Sequence, residues 1–266
     1  TTTATMIPGS QATAKLVAFQ VKSGYDSYGK EKGRNAPIGE TSEFAYTTAL
    51  NYMLSSDSRN KFTIGSRTYL FWASSNNEAC SQIEDCIFNM FGFNPNEDDP
   101  NKQIEQVHKV FKSIYSGTLE TSLDDKFYIL GLAPNSARIA VVYWAEIQLK
   151  KFAGLISRHF DDMEIVDGRF ERFPYMGLKS ILGAVTLGGK SNDATPNLPD
   201  VVVKSIFQGL PYPYTLFAGC IRRIRAEQSI KITRAAIIKA YLNRLDNNEQ
   251  KIKVMLDKKK KNQGYL

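Results

Sequence analysis

An α+β fold, with an antiparallel sheet and flanking helices followed by a mainly helical region, is predicted by the order of patterns along this 266-residue chain. Three observations predict it. Short runs rich in β-branched and aromatic residues stop after Trp144. Those runs come in pairs around turn residues, Gly65-Ser66 in one case and Ala133-Pro134-Asn135-Ser136 in the other, which makes neighbouring strands antiparallel. Beyond Trp144, apolar residues recur at helical spacing instead. With 42% hydrophobic and 11% aromatic residues the chain can bury a real core. We divide it into an α+β region, 1–165, and a helical, basic region, 166–266, with the passage near 161–172.

The first strand is expected over 14–21, followed by a Gly-, Tyr- and Lys-rich loop from Gly24 to Gly39. A helix comes next, with Thr41 as its cap and Tyr46, Ala49, Leu50 and Met53 on one buried stripe. Strands over 61–64 and 68–72 form a hairpin, and strands over 127–132 and 137–144 form a second pair. Helices over 77–91 and 102–116 lie between the pairs, separated by the breaker string 94–100. The later helices are expected over 146–160, 175–187, 200–208, 213–227 and 233–247.

The net charge of +7 is a C-terminal property, because 13 Lys and Arg against four Asp and Glu lie in 220–266. Everything before holds 21 basic and 23 acidic residues. A near-neutral body with one strongly basic end points to a polyanion, and nucleic acid is the first candidate. On a helix through 214–226, Leu216, Phe217, Cys220, Ile221 and Ile224 occupy an arc of roughly 140°. Arg222 lies opposite, with Arg223 and Arg225 at the edges, so three guanidiniums can face solvent while the helix packs. Lys231, Arg234, Lys239 and Arg244 extend the positive field, although Arg234 falls on the apolar side of its helix. A solvated helix face is the alternative. The loop 25–37, with Lys30, Lys32, Arg34 and Asn35, interleaves aromatics, glycines and cations in a way that can stack on bases and hold phosphates. The same composition suits a flexible surface loop.

Enzymatic constellations are weak. Residues 184–191 fit a loose phosphate-loop pattern, but a helical run precedes them and prolines follow, so an inter-helix loop is expected. His108 and His159 lack partners at zinc-ligand spacing, and Cys80 and Cys86 read as small core residues. Asp124-Asp125 and Asp161-Asp162 read as solvated caps rather than magnesium ligands. No cofactor, metal site, nuclease or nucleotidase activity is expected. Three cysteines favour a reducing compartment, and the absence of a long apolar run or signal-peptide pattern places the protein in the cytoplasm, away from membranes. The first residue is not Met, and the chain reads as a piece of a longer one.

Several strings, in this order, resemble one family: Tyr28-Gly29-Lys30-Glu31, Asn35-Ala36-Pro37, Phe44-Ala45-Tyr46-Thr47-Thr48-Ala49-Leu50-Asn51, Leu70-Phe71-Trp72-Ala73, the run from Phe127 to Arg138, Pro211-Tyr212-Pro213 and Ile221-Arg222-Arg223-Ile224-Arg225-Ala226. The family is the large subunit of the type I-C CRISPR Cascade surveillance complex, the Csd-type CRISPR-associated protein. The resemblance runs from about residue 15 to the end, where Asn262-Gln263-Gly264-Tyr265-Leu266 is similar to the family's Asn-Pro-Gly-Tyr stretch. Members continue on both sides, so the chain resembles a central to C-terminal piece.

The resemblance implies a non-catalytic subunit of a multisubunit complex. Guide RNA pairs with target DNA, this protein holds backbone and displaced strand, and a recruited helicase–nuclease cleaves. Subunits that form the complex's backbone and bind the guide end are the implied protein partners. Residues that read the protospacer-adjacent motif cannot be carried onto positions here. An interaction scaffold, its basic helices docked on an acidic protein, is the alternative from another class.

Overall fold

The computed structural model describes residues 7–19, 29–30, 32–91, 100–122, 124–165 and 176–245, without the side chains of Lys32 and 100–105. The expectations for 20–28, the breaker string 94–99, the passage at 166–172, the lysine run 258–261 and the closing 262–266 lie outside these residues. Internal contacts group the chain into two units: unit 1 is Thr1–Glu97 with Leu119–Lys150, and unit 2 is Asp98–Thr118 with Lys151–Leu266.

Unit 1 is built on a four-stranded antiparallel sheet in sequence order: β1 (Lys61–Ile64), β2 (Arg67–Ala73), β3 (Lys126–Asn135) and β4 (Arg138–Gln148). Both hairpins fall where turn residues demand them, with Gly65 at φ 59° and Ser136 at φ 54°. The second turn is Ser136-Ala137 rather than Pro134-Asn135, because Asn135 pairs with Arg138 and Pro134 with Ile139 inside the ladder. β4 is also longer than expected. Residues 146–148 extend the strand instead of opening a helix, since Glu146 pairs with Tyr128 and Gln148 with Lys126. The expected first strand is not formed over 14–19, where a single parallel bridge joins Lys15 to Arg138. These residues meet the outer edge of β4 at that bridge alone and do not run along it.

Alternation sends Phe62, Tyr69, Phe71, Phe127, Ile129 and Tyr143 to one face, where they are buried. Helix α2 (Glu78–Phe91) packs there, its buried residues Ala79, Cys80, Ile83, Cys86, Ile87, Met90 and Phe91 recurring at helical spacing. Phe91 stacks on Phe62 at 4.8 Å between ring centroids, and Phe62 on Tyr69 at 4.9 Å. Both cysteines are core residues, and burial pushes the Cys86 thiol up to about 12. Gly131 lets Tyr69 cross β3, as a Cβ there would stand 2.8 Å from the Tyr143 Cβ and 3.0 Å from the Tyr69 ring.

Part of the other face is covered by helix α1 (Glu40–Leu54) and by residues 7–19, with Leu50 and Leu54 packed among Ile7, Ala14, Leu70, Leu132 and Ile139. The N-cap of α1 is Gly39, not Thr41, and it makes no side-chain cap. The buried stripe is narrower than the periodicity implies: Tyr46 and Met53 are half-buried and Ala49 is exposed.

Asp125 is no solvated cap either. It is 4% exposed and accepts hydrogen bonds from Ser75 Oγ (2.7 Å), Asn77 Nδ2 (2.8 Å) and the Ser122 N–H (2.9 Å). Burial pushes its carboxyl up, but the three donors outweigh burial and leave it below the usual range. Asp125→Ala is expected to cost unit 1 about 1–3 kcal/mol by orphaning those donors. A chemical denaturation curve indistinguishable from wild type would refute this.

Unit 2 is helical: α3 (Pro100–Ser116), the greater part of α4 (Leu149–Met163), α5 (Leu178–Ala184), α6 (Leu198–Gln208), α7 (Tyr214–Glu227) and α8 (Ile232–Leu245). Phe111, Phe152 and Phe207 join α3, α4 and α6 in an aromatic core. α5 ends at Ala184, short of the expected 187, and the phosphate-loop look-alike that follows is a connection between helices. Gly188 and Gly189 hold φ values of 73° and 77°, and a Cβ on Gly183 would lie 2.5 Å from the Gly189 carbonyl oxygen. The lysine and serine of the pattern stand at the start of a single 3-10 turn, Ser191–Asp193, rather than of an α-helix.

Candidate nucleic-acid interface

Helix α7 begins behind Pro213 and buries Leu216, Gly219 and Cys220, while Phe217, Ile221 and Ile224 are half-buried. Arg222 and Arg225 fall on the outer side and are exposed. The helix ends at Gln228, a left-handed residue at φ 49°. The connection that follows brings its own Lys231 and Arg234 of α8 back toward Glu227.

Glu227 organises this corner. Arg234 donates from Nη1 to Oε2 at 2.6 Å and from Nη2 to Oε1 at 2.8 Å, and its Nε donates to the Ala184 carbonyl at 2.9 Å. Arg223 donates to the same Oε1 through Nε, at 3.1 Å, and Nη2. Lys231 approaches at 3.7 Å but is otherwise exposed. The hydrogen bonds from Arg234 and then Arg223 hold the Glu227 carboxyl down at about 2. Glu227 was missed by sequence reasoning, although its spacing four residues from both Arg223 and Lys231 is a visible helix-pairing signal.

The expectation of three solvent-facing guanidiniums on α7 is therefore corrected. Arg223 leans along the helix into Glu227 with its side chain only 18% exposed. Arg234, with a side chain 3% exposed, is a buried structural cation and presents nothing to a polyanion. Arg244, expected in the positive field, is buried too. Its Nε donates to Asp162 Oδ2 at 2.6 Å, its Nη1 to the Ser205 and Leu210 carbonyls, and its guanidinium lies 4.3 Å over the Tyr212 ring. Asp162 is thus an ion-pair partner, not a solvated cap. Lys239 donates to the Asp161 and Glu164 carbonyls. Of the cations expected in the positive field, Arg222 and Arg225 on α7 and Lys231 in the connection to α8 are the exposed ones among the described residues.

Next to Arg244, His159 is fully buried. A carbonyl only accepts, so Nε2 donates to Met176 O at 3.3 Å and Nδ1 accepts from the Tyr212 hydroxyl at 2.6 Å. Burial, then the Arg244 charge, pushes this imidazole down to about 3. It is a neutral core histidine.

In unit 1, Asn35 Nδ2 donates to the Lys30 carbonyl at 2.9 Å and closes a 3-10 turn at Lys32–Asn35. Lys30 and Arg34 are exposed on that turn, and the Lys32 side chain lies outside the described residues. Among the described residues no group of three or more His, Cys, Asp or Glu is placed to hold a metal, and no helix is long and apolar enough to cross a membrane.

The described residues thus comprise a four-stranded α+β unit and a helical unit that carries the exposed cations Arg222, Arg225 and Lys231. The family described as CRISPR-associated protein (Cas_Csd1) matches the chain over residues 2–266, nearly its whole length, and the chain belongs to that family. It is a CRISPR-associated Cascade subunit. No curated protein matches the sequence.

Proposed function

We propose that the chain is part of the large subunit of a type I-C surveillance complex in the cytoplasm, and that Arg222, Arg225 and Lys231 lie there against nucleic-acid backbone. The carrying observation is the exposure of Arg222 and Arg225 on a unit with 23 basic against 14 acidic residues, where neighbouring cations are already held internally. In this reading the division of the chain is functional as well: an α+β part over 1–165 precedes a basic helical part over 166–266. Lys30, Lys32 and Arg34 add a second contact, with Asn35 bracing their turn. Guide RNA and target DNA are the polyanions, backbone and guide-end-binding subunits are the protein neighbours, and cleavage belongs to a recruited helicase–nuclease. The subunit itself is non-catalytic.

Arg222→Ala/Arg225→Ala is expected to leave assembly intact and to weaken target-DNA binding alike for all sequences, because phosphates carry no base information. The slope of log affinity against log salt becomes shallower by about 2, one unit for each phosphate that is no longer neutralised. Unchanged affinity and slope in a correctly assembled complex would reject the assignment. Failure of assembly would favour the scaffold reading, with the arginines docked on an acidic protein neighbour.

A further inference from the structure

More cations meet Glu227 than one carboxylate needs. Arg234 alone satisfies it as a fork, with Nη1 on Oε2 at 2.6 Å and Nη2 on Oε1 at 2.8 Å. Its side chain is buried, and the bond from Nε to the Ala184 carbonyl fixes it in place. Arg223 is held differently. Its Nε and Nη2 both donate to Oε1, the oxygen that already accepts from Arg234, so three N–H groups crowd an atom with about two lone-pair sites. Lys231 stands 3.7 Å from Oε2, beyond hydrogen-bond reach, with its side chain 63% exposed. The Arg223 and Glu227 side chains are 18% and 25% exposed, so solutes reach this pair, unlike Arg234.

We propose that Glu227 is an internal stand-in for phosphate, and that on nucleic-acid binding a backbone phosphate takes the Arg223 guanidinium from it while Arg234 stays. This exchange rests on the reading of Arg222, Arg225 and Lys231 as backbone contacts, and it adds a further cation that the free chain keeps folded along α7. A phosphate gives Nε and Nη2 an oxygen each, where Glu227 gives them one crowded oxygen between them. That difference is what moves the arginine from one partner to the other. Release leaves both Glu227 oxygens paired with Arg234, so the buried guanidinium keeps its partner. The contact given up is an i,i+4 pair at a helix surface, a kind that contributes little to stability.

Salt titration of target-DNA binding by the reconstituted complex tests the exchange. Arg223→Ala and Arg223→Gln are each expected to assemble normally and to make the slope of log affinity against log salt shallower by about 1, for target and non-target duplexes alike. Arg223→Lys keeps the charge and should keep the wild-type slope. Wild-type affinity and slope in both neutral variants overturn the proposal, since Arg223 would then stay on Glu227 in the complex. So does failure of both to fold or assemble, which would make Arg223 a structural cation like Arg234. An equally shallow slope in Arg223→Lys overturns it too, because loss of charge would not be the cause. Arg222→Ala/Arg225→Ala separates the exchange from the reading beneath it: a shift there with none for Arg223 removes the exchange alone, and no shift in any variant removes both.

Discussion

Arg244→Ala is expected to destabilise unit 2 by about 3–5 kcal/mol, the range for removing one partner of a buried ion pair. The loss has three sources. Asp162, whose side chain is 12% exposed, loses its closest cation, and the Ser205 and Leu210 carbonyls lose a shared donor. The Tyr212 ring also loses the guanidinium stacked on it. Burial already raises the Asp162 carboxyl despite Arg244, so in the variant it protonates more readily still. Arg244→Lys should recover only part of the loss, because an ammonium lacks the planar fork that reaches several acceptors at once. Chemical denaturation followed by helical circular dichroism measures both, and an Arg244→Ala loss below about 1 kcal/mol would show that the pair adds little over its desolvation.

Acid should weaken the same unit through its buried histidine. The His159 imidazole has its pKa lowered to about 3 from an ordinary 6.5, so between those values the unfolded chain binds a proton that the folded chain refuses. Its contribution to stability is complete above about pH 6.5 and is lost as pH falls toward 3, by about 1.4 kcal/mol per pH unit at the steepest. Asp162 works in the opposite direction, since its raised pKa lets the folded state bind a proton first. His159→Gln retains a donor and an acceptor for Met176 and Tyr212 but has no proton to gain. It is expected to flatten the stability–pH profile between 6.5 and 3.5, and a profile as steep as wild type would remove His159 as the cause.

The hairpins were legible because their information is local: alternation fixes a face and Gly65 or Ser136 fixes a turn. Strand ends were less so, since Glu146 and Gln148 become strand only through partners about 20 residues earlier. The failed strand at 14–19 has β-forming residues but meets the edge strand β4 at Lys15 alone, and composition does not say which path a segment takes past an edge. The basic C-terminal segment was legible as a concentration of charge and not as a set of pairings. A charge count treats every arginine as solvated, whereas Arg234 finds its carboxylate 7 residues away and Arg244 finds one 82 residues away. The exposure of Arg222 and Arg225 was legible because helical periodicity alone turns them outward.

The two tryptophans of the chain, Trp72 and Trp144, both belong to unit 1 and touch one another on its open sheet face. Intrinsic emission therefore belongs to one half of the molecule, and unit 2 has no indole with which to announce its own melting. A thermal scan at tryptophan wavelengths would register Asp125→Ala and pass over Arg244→Ala, while a far-ultraviolet scan would follow the helices. The lag between the two traces would measure how independently the halves come apart.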